Sequence, residues 1–128
     1  MQYFRHVEEI EWAIELALEY GKPVAATMCP DPAGDAGGVP LQECAVRMAR
    51  AGAHLIGVNC LYDPFMVLDI MKQFKEGLDK HLKPGEKRPY LMCQPLGYRT
   101  PDSDFYGWVN ISDYPYCKLS EFKIPYSF

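Results

Sequence analysis

Nowhere in these 128 residues does an apolar run approach the ~20 residues that a helix needs to cross a bilayer, so no membrane span is expected. The first twenty residues alternate acids with apolar side chains and lack the zones of a signal peptide. The 13 Lys and Arg residues are scattered among 17 acids, and without a basic cluster nucleic acid is excluded as a partner. The five cysteines (Cys29, Cys44, Cys60, Cys93, Cys117) form no C-x-x-C pair, and their odd count speaks against a disulfide framework and a compact zinc knuckle. His6, His54 and His81 are isolated, and neither a G-x-G-x-x-G nor a P-loop follows any apolar run. The sequon Asn110-Ile111-Ser112 carries meaning only in a secreted chain. These exclusions leave a soluble, reduced, cytoplasmic protein as the expectation.

What is present is a repeat of helix and strand. Val7, Ile10, Ile14, Ala17 and Leu18 recur at helical spacing, Gly21 closes that helix, and Val24–Cys29 is a short apolar run. A second helix from about Leu41 collects Leu41, Cys44, Ala45, Met48 and Ala49 on one face, with Arg47 and Arg50 opposite, and leads through Gly52 to the run His54–Cys60. Asp63-Pro64 is an N-cap followed by a first-turn proline, and Leu68, Met71 and Leu78 are assigned to the inner face of the third helix. The third strand is Pro89–Gln94. Continuous rather than alternating apolar runs suit strands buried on both faces, as in a parallel sheet. The fold class is therefore α/β. With no nucleotide fingerprint, the expected architecture is the central portion of a (β/α)8 TIM barrel and not a complete one, since a barrel takes ~250 residues. Met1 falls in what reads as the exit from an earlier strand.

In such a fold chemistry sits at the carboxyl ends of the strands. Cys29, Cys60 and Cys93 lie at or near those ends, where thiolates can bind Zn²⁺, although buried apolar filler is the commoner job of a free cysteine. Cys60 is the best of the three, because it ends its strand just before the Tyr62-Asp63-Pro64 turn. The loop Pro30–Pro40 offers glycine amides to an anion and Asp31 and Asp35 to a cation; a tight βα connection is the preferred reading. Phe105, Tyr106, Trp108, Tyr114 and Tyr116 are assigned to packing over the barrel rim in preference to a cation–π cage.

Several segments carry a resemblance. Gly21–Cys29, the Gly37-Gly38-Val39-Pro40 turn, Glu43–Arg47, and Ala51-Gly52-Ala53 leading to Ile56-Gly57-Val58-Asn59-Cys60 resemble the homocysteine S-methyltransferase family, in its betaine-using branch. Tyr3-Phe4 with His6–Glu9, and Gln94-Pro95-Leu96 with Tyr98 and Thr100-Pro101-Asp102, extend the similarity over residues 2–116. The resemblance implies a partial homocysteine-binding (β/α)8 barrel domain over 1–116, with 117–128 as a divergent tail.

It also implies a chemistry. The family holds homocysteine as a thiolate on Zn²⁺ bound by three cysteines, and the thiolate attacks the methyl donor. In this branch the donor is glycine betaine and the products are methionine and dimethylglycine. Cys60 matches the first zinc ligand; the other two form a Cys-Cys pair, which this sequence does not contain, so one ligand of three is present. Tyr3 matches a homocysteine contact. Gln2 stands where the family has a glutamate, and a neutral amide cannot pair with the substrate ammonium as a charge does. Intact members are expected to be homo-oligomers, and this chain is expected to be inactive alone. The rival readings are a non-enzymatic partner or modulator of a full-length methyltransferase, and a methyltransferase using S-methylmethionine.

Overall fold

The structure, a computed structural model, describes residues 1–96. The expectations placed on Tyr98, Thr100-Pro101-Asp102, the rim aromatics, the sequon, Cys117 and the tail lie outside the described residues. Within them the chain runs α1 (Val7–Leu18), β1 (Ala25–Met28), α2 (Leu41–Arg50), β2 (Leu55–Asn59), α3 (Pro64–His81) and β3 (Tyr90–Gln94). The three strands form one parallel sheet in the order β1-β2-β3. Register is fixed by Ala25 opposite Leu55 and Leu55 opposite Tyr90. The sheet is open, as expected of part of a (β/α)8 domain, and each parallel step is made through a helix.

The apolar stripes explain the layering. Val7, Ile10 and Ile14 from α1, Leu41, Cys44, Ala45 and Met48 from α2, and Met66, Val67, Ile70, Phe74 and Leu78 from α3 pack with Ala26, Met28, Ile56 and Val58 of the sheet. Full burial of a large apolar side chain contributes roughly 1.5–3 kcal/mol, so this cluster dominates the stability. One helix-face assignment needs correcting. Leu68 is 51% exposed and does not belong to the inner face of α3. The face that packs is set by Met66, Val67, Ile70, Met71 and Phe74, and Leu68 points away from it. Asp63 caps α3 as read, accepting a bond from the Met66 amide at 2.9 Å.

Two close approaches lock the layers. A Cβ on Gly57 in β2 would run into the Met92 carbonyl of β3, and a Cβ on Gly77 in α3 would run into the Gln42 backbone of α2. On the other side of the sheet, residues 1–4 run along the free edge of β1. The Met1 amino group donates to the Ala25 carbonyl at 2.7 Å, Thr27 N–H donates to the Met1 carbonyl at 3.0 Å, and Cys29 N–H donates to the Phe4 carbonyl at 2.8 Å.

The turn after β1 is organised by Asp35, which is only 7% exposed. Its carboxylate accepts from the amides of Val7 at 2.9 Å, Gly37 at 2.8 Å and Val39 at 2.8 Å. His6 makes no side-chain cap on α1, so Asp35 supplies that helix end with its acceptor from 28 residues away. Burial pushes the Asp35 carboxyl up, but the three amides and nearby His6 outweigh it and hold it below the ordinary value.

Two outcomes follow. Gly57→Ala is expected to lower stability by about 2 kcal/mol or more, read from the urea midpoint, because backbone and not a flexible side chain must yield. Asp35→Ala is expected to cost about 2 kcal/mol through orphaned buried amides. Because the folded carboxyl is held low, its contribution is fully present above the ordinary value of 3.8 and is lost as pH falls toward the lower folded value. The stability gap between wild type and Asp35→Asn should therefore be flat near neutrality and shrink in acid. A gap that widens in acid would overturn the assignment.

Candidate functional site

Parallel pairing brings the carboxyl ends of the strands to one edge, and the residues singled out by resemblance meet there. Asn59 ends β2 and is 1% exposed. Its Oδ1 accepts from the Tyr3 amide at 3.2 Å, and its Nδ2 donates to Cys29 Sγ at 3.3 Å. The Cys29 thiol in turn donates to the Asn59 carbonyl at 2.8 Å. Next in the chain, the Cys60 amide donates to the Gln94 carbonyl at 2.9 Å. The Gln94 side chain accepts from Gln2 Nε2 at 3.3 Å. Gln2, Tyr3 and Cys60 thus lie at one edge, joined through Asn59 and Gln94.

The backbone here is held in an uncommon conformation. Among the described non-glycine residues, those at positive φ are Tyr3 (71°), Cys60 (54°) and Leu61 (61°). Tyr62 N–H closes on the Cys60 carbonyl at 2.7 Å, a three-residue turn with Leu61 at its centre in the disfavoured hand. Such geometry costs of order 1–3 kcal/mol per residue and persists only where surroundings enforce it. Tyr62 enforces it on the far side: the ring is buried, its hydroxyl donates to Asp31 at 2.8 Å, and its carbonyl accepts from Leu96 N–H at 3.0 Å. Burial and the Asp31 carboxylate both push the Tyr62 phenol up. Arg5 reaches the same Asp31 at 3.3 Å.

The three strand-end thiols do not act alike. Cys60 is half-buried at the edge. Cys29 is buried, and burial, with Cys60 adding to the rise against the pull of Arg5 and the Asn59 hydrogen bond, pushes it up to about 12. Cys93 pairs opposite Val58, one residue short of the edge, and is exposed. Among the described residues no group of three His, Cys, Asp or Glu side chains is placed to hold a metal. The described residues therefore do not fit a complete zinc centre.

The loop Pro30–Pro40 is the connection expected. Its Gly37 amide serves Asp35, and Asp31 is taken by Tyr62 and Arg5, so neither an anion cradle nor an open cation site is formed by these groups. Sequence reading set Asn59 and Gln94 within the resembling segments but gave neither a bonding role, and it missed the internal role of Asp35. The available signals were an amide inside an apolar run and an aspartate two residues before a glycine pair.

The thiols give a direct check. Alkylation of the folded chain near pH 8, read by peptide mass, is expected to modify Cys93 and Cys60 and to spare Cys29 and Cys44, both buried with thiols pushed up to about 12. Labelling of Cys29 as fast as Cys93 would show that the Asn59 contacts are not made.

No described helix is long and apolar enough to cross a membrane. A family model described as homocysteine S-methyltransferase matches residues 1–109. Similar proteins include betaine–homocysteine S-methyltransferase 1 of Pongo abelii and of Mus musculus, each 49% identical over 115 residues, 90% of this chain. S-methylmethionine–homocysteine S-methyltransferase BHMT2 of Rattus norvegicus is also 49% identical over 115 residues. This chain spans 27% of the length of the first two and 31% of the third. With the family match covering most of its residues, the chain belongs to the homocysteine S-methyltransferase family.

Proposed function

We propose that this chain is the central part of a zinc-dependent enzyme that transfers a methyl group from glycine betaine to homocysteine, giving methionine and dimethylglycine. Residues 1–116 are the working segment, Tyr3 and Gln2 contact homocysteine, and Cys60 donates one of three thiolates to the metal. The observation that supports this reading is the meeting of Gln2, Tyr3 and Cys60 through Gln94 and Asn59 at one edge of the sheet. A single thiol does not make a catalytic zinc site, so the chain alone is expected to form no methionine. The intact enzyme is read as a cytoplasmic homo-oligomer. S-methylmethionine is the second donor to test, since a relative named for it is as similar to this chain as those named for betaine.

The test replaces the matching segment of the mouse betaine enzyme with residues 1–116 and follows methionine formation with each donor. Betaine-dependent turnover is expected within about tenfold of the parent, a barrier change of about 1.4 kcal/mol, and Cys60→Ala in the hybrid is expected to abolish it. Gln2→Glu should lower KM for homocysteine with little change in kcat, because it restores a charge facing the ammonium. Turnover with S-methylmethionine alone would reassign the donor. A folded hybrid idle with both donors would overturn the enzymatic reading in favour of a modulator that pairs with a full-length subunit.

A further inference from the structure

The amide of Asn59 is occupied at both ends. It carries no charge, is 1% exposed and sits inside an otherwise apolar β2 run, where a buried polar group is costly unless its bonds are met. Its Oδ1 takes the Tyr3 amide and its Nδ2 takes the Cys29 sulfur, while its own carbonyl takes the Cys29 thiol. These bonds link three stretches of chain that are 56 and 30 residues apart in sequence. They converge beside the positive-φ residues Tyr3, Cys60 and Leu61.

A leucine at position 59 would fill the same space in an apolar strand without needing partners. An asparagine is accounted for by what it fixes. Tyr3 lies beyond the regular strand ladder on the outer side of β1, at positive φ and 56% exposed, and its amide bond to Asn59 reaches past β1 to the centre of the sheet. The peptide bond that follows Asn59 leads directly into Cys60, whose amide is tied to Gln94. One side chain therefore sets the position of residue 3 relative to the backbone that carries the Cys60 thiol.

We propose that Asn59 is a positioning residue that clamps Tyr3 against the Cys60 end of β2 through its side-chain amide. Its functional meaning rests on Tyr3 and Cys60 being ligand contacts, whereas the clamp itself does not. Asn59 touches no reacting atom; it holds the groups that do.

The test uses the full chain and three variants, Asn59→Ala, Asn59→Asp and Asn59→Leu. Amide hydrogen exchange resolved to the Tyr3 amide is expected to rise about tenfold or more in Asn59→Ala and Asn59→Leu, with the β2 amides of Ile56–Val58 unchanged. Asn59→Asp keeps an acceptor for the Tyr3 amide and should retain its protection, while losing the bond donated to Cys29. Equal loosening of Tyr3 and of the β2 core, or no change at Tyr3, would overturn the clamp. Should the alanine and leucine variants fail to fold, Asn59→Asp still decides, because loss of Tyr3 protection there contradicts the proposal. A second arm measures protection of Cys60 from alkylation by homocysteine, with the exposed Cys93 as reference. Protection seen in the wild type and lost in Asn59→Leu joins the clamp to ligand binding. No protection even in the wild type counts against the ligand-contact reading of the isolated chain, and the exchange result on the clamp still stands.

Discussion

The central strand governs this molecule. β2 is paired on both sides, with β1 along Ala25–Met28 and with β3 along Tyr90–Gln94, so its backbone groups are committed to two neighbours. Parallel pairing sends the ends of all three strands the same way, and a slip of one residue would move every side chain of β2 to the opposite face. Gly57 tightens this further, because the Met92 carbonyl occupies the space where a side chain would stand. The location of Asn59 and Cys60 follows from that register. They occupy the place where the ladder stops and the chain must turn.

The carboxylate of Asp35 performs a comparable service for the other half. It gathers the first amide of α1 and two amides of its own loop, and by doing so fixes how residues 1–6 enter the helix. The edge pairing of Met1 and Phe4 with β1 then delivers Tyr3 to the strand ends. Arg47 joins α1 to α2 through two bonds to Glu11, one of them 2.9 Å at Nε. Such a half-exposed ion pair aligns helices more than it stabilises them.

Much of this was legible beforehand. The apolar runs at Ala25, Leu55 and Tyr90, the helical spacing of α1 and α2, and the Asp63-Pro64 start of α3 are local signals, written in side-chain period and cap chemistry, and each has its counterpart in the fold. The face of α3 was misread at Leu68 because an 18-residue helix with many apolar residues carries more than one plausible stripe, and only the packing against α2 selects among them. Tyr90 lies in the third strand as read, yet is 80% exposed, since a sequence pattern reports that a strand forms and not what covers it. The contacts of Asn59 were invisible for a different reason. They join positions 3, 29 and 59, and no local pattern encodes a bond across that separation.

The approach of α3 to α2 at Gly77 has a mechanical consequence. There the two helices meet backbone to backbone at Gln42, with no room for a side chain between them, and α2, α3, β2 and β3 pack as one slab. α1 and the first residues are attached to that slab by side chains, a carboxylate and one edge ladder. Tyr3 rides on the attached segment and Cys60 on the slab. A helical spectrum reports the packing of the helices alone, and it is no measure of whether the two ends face each other.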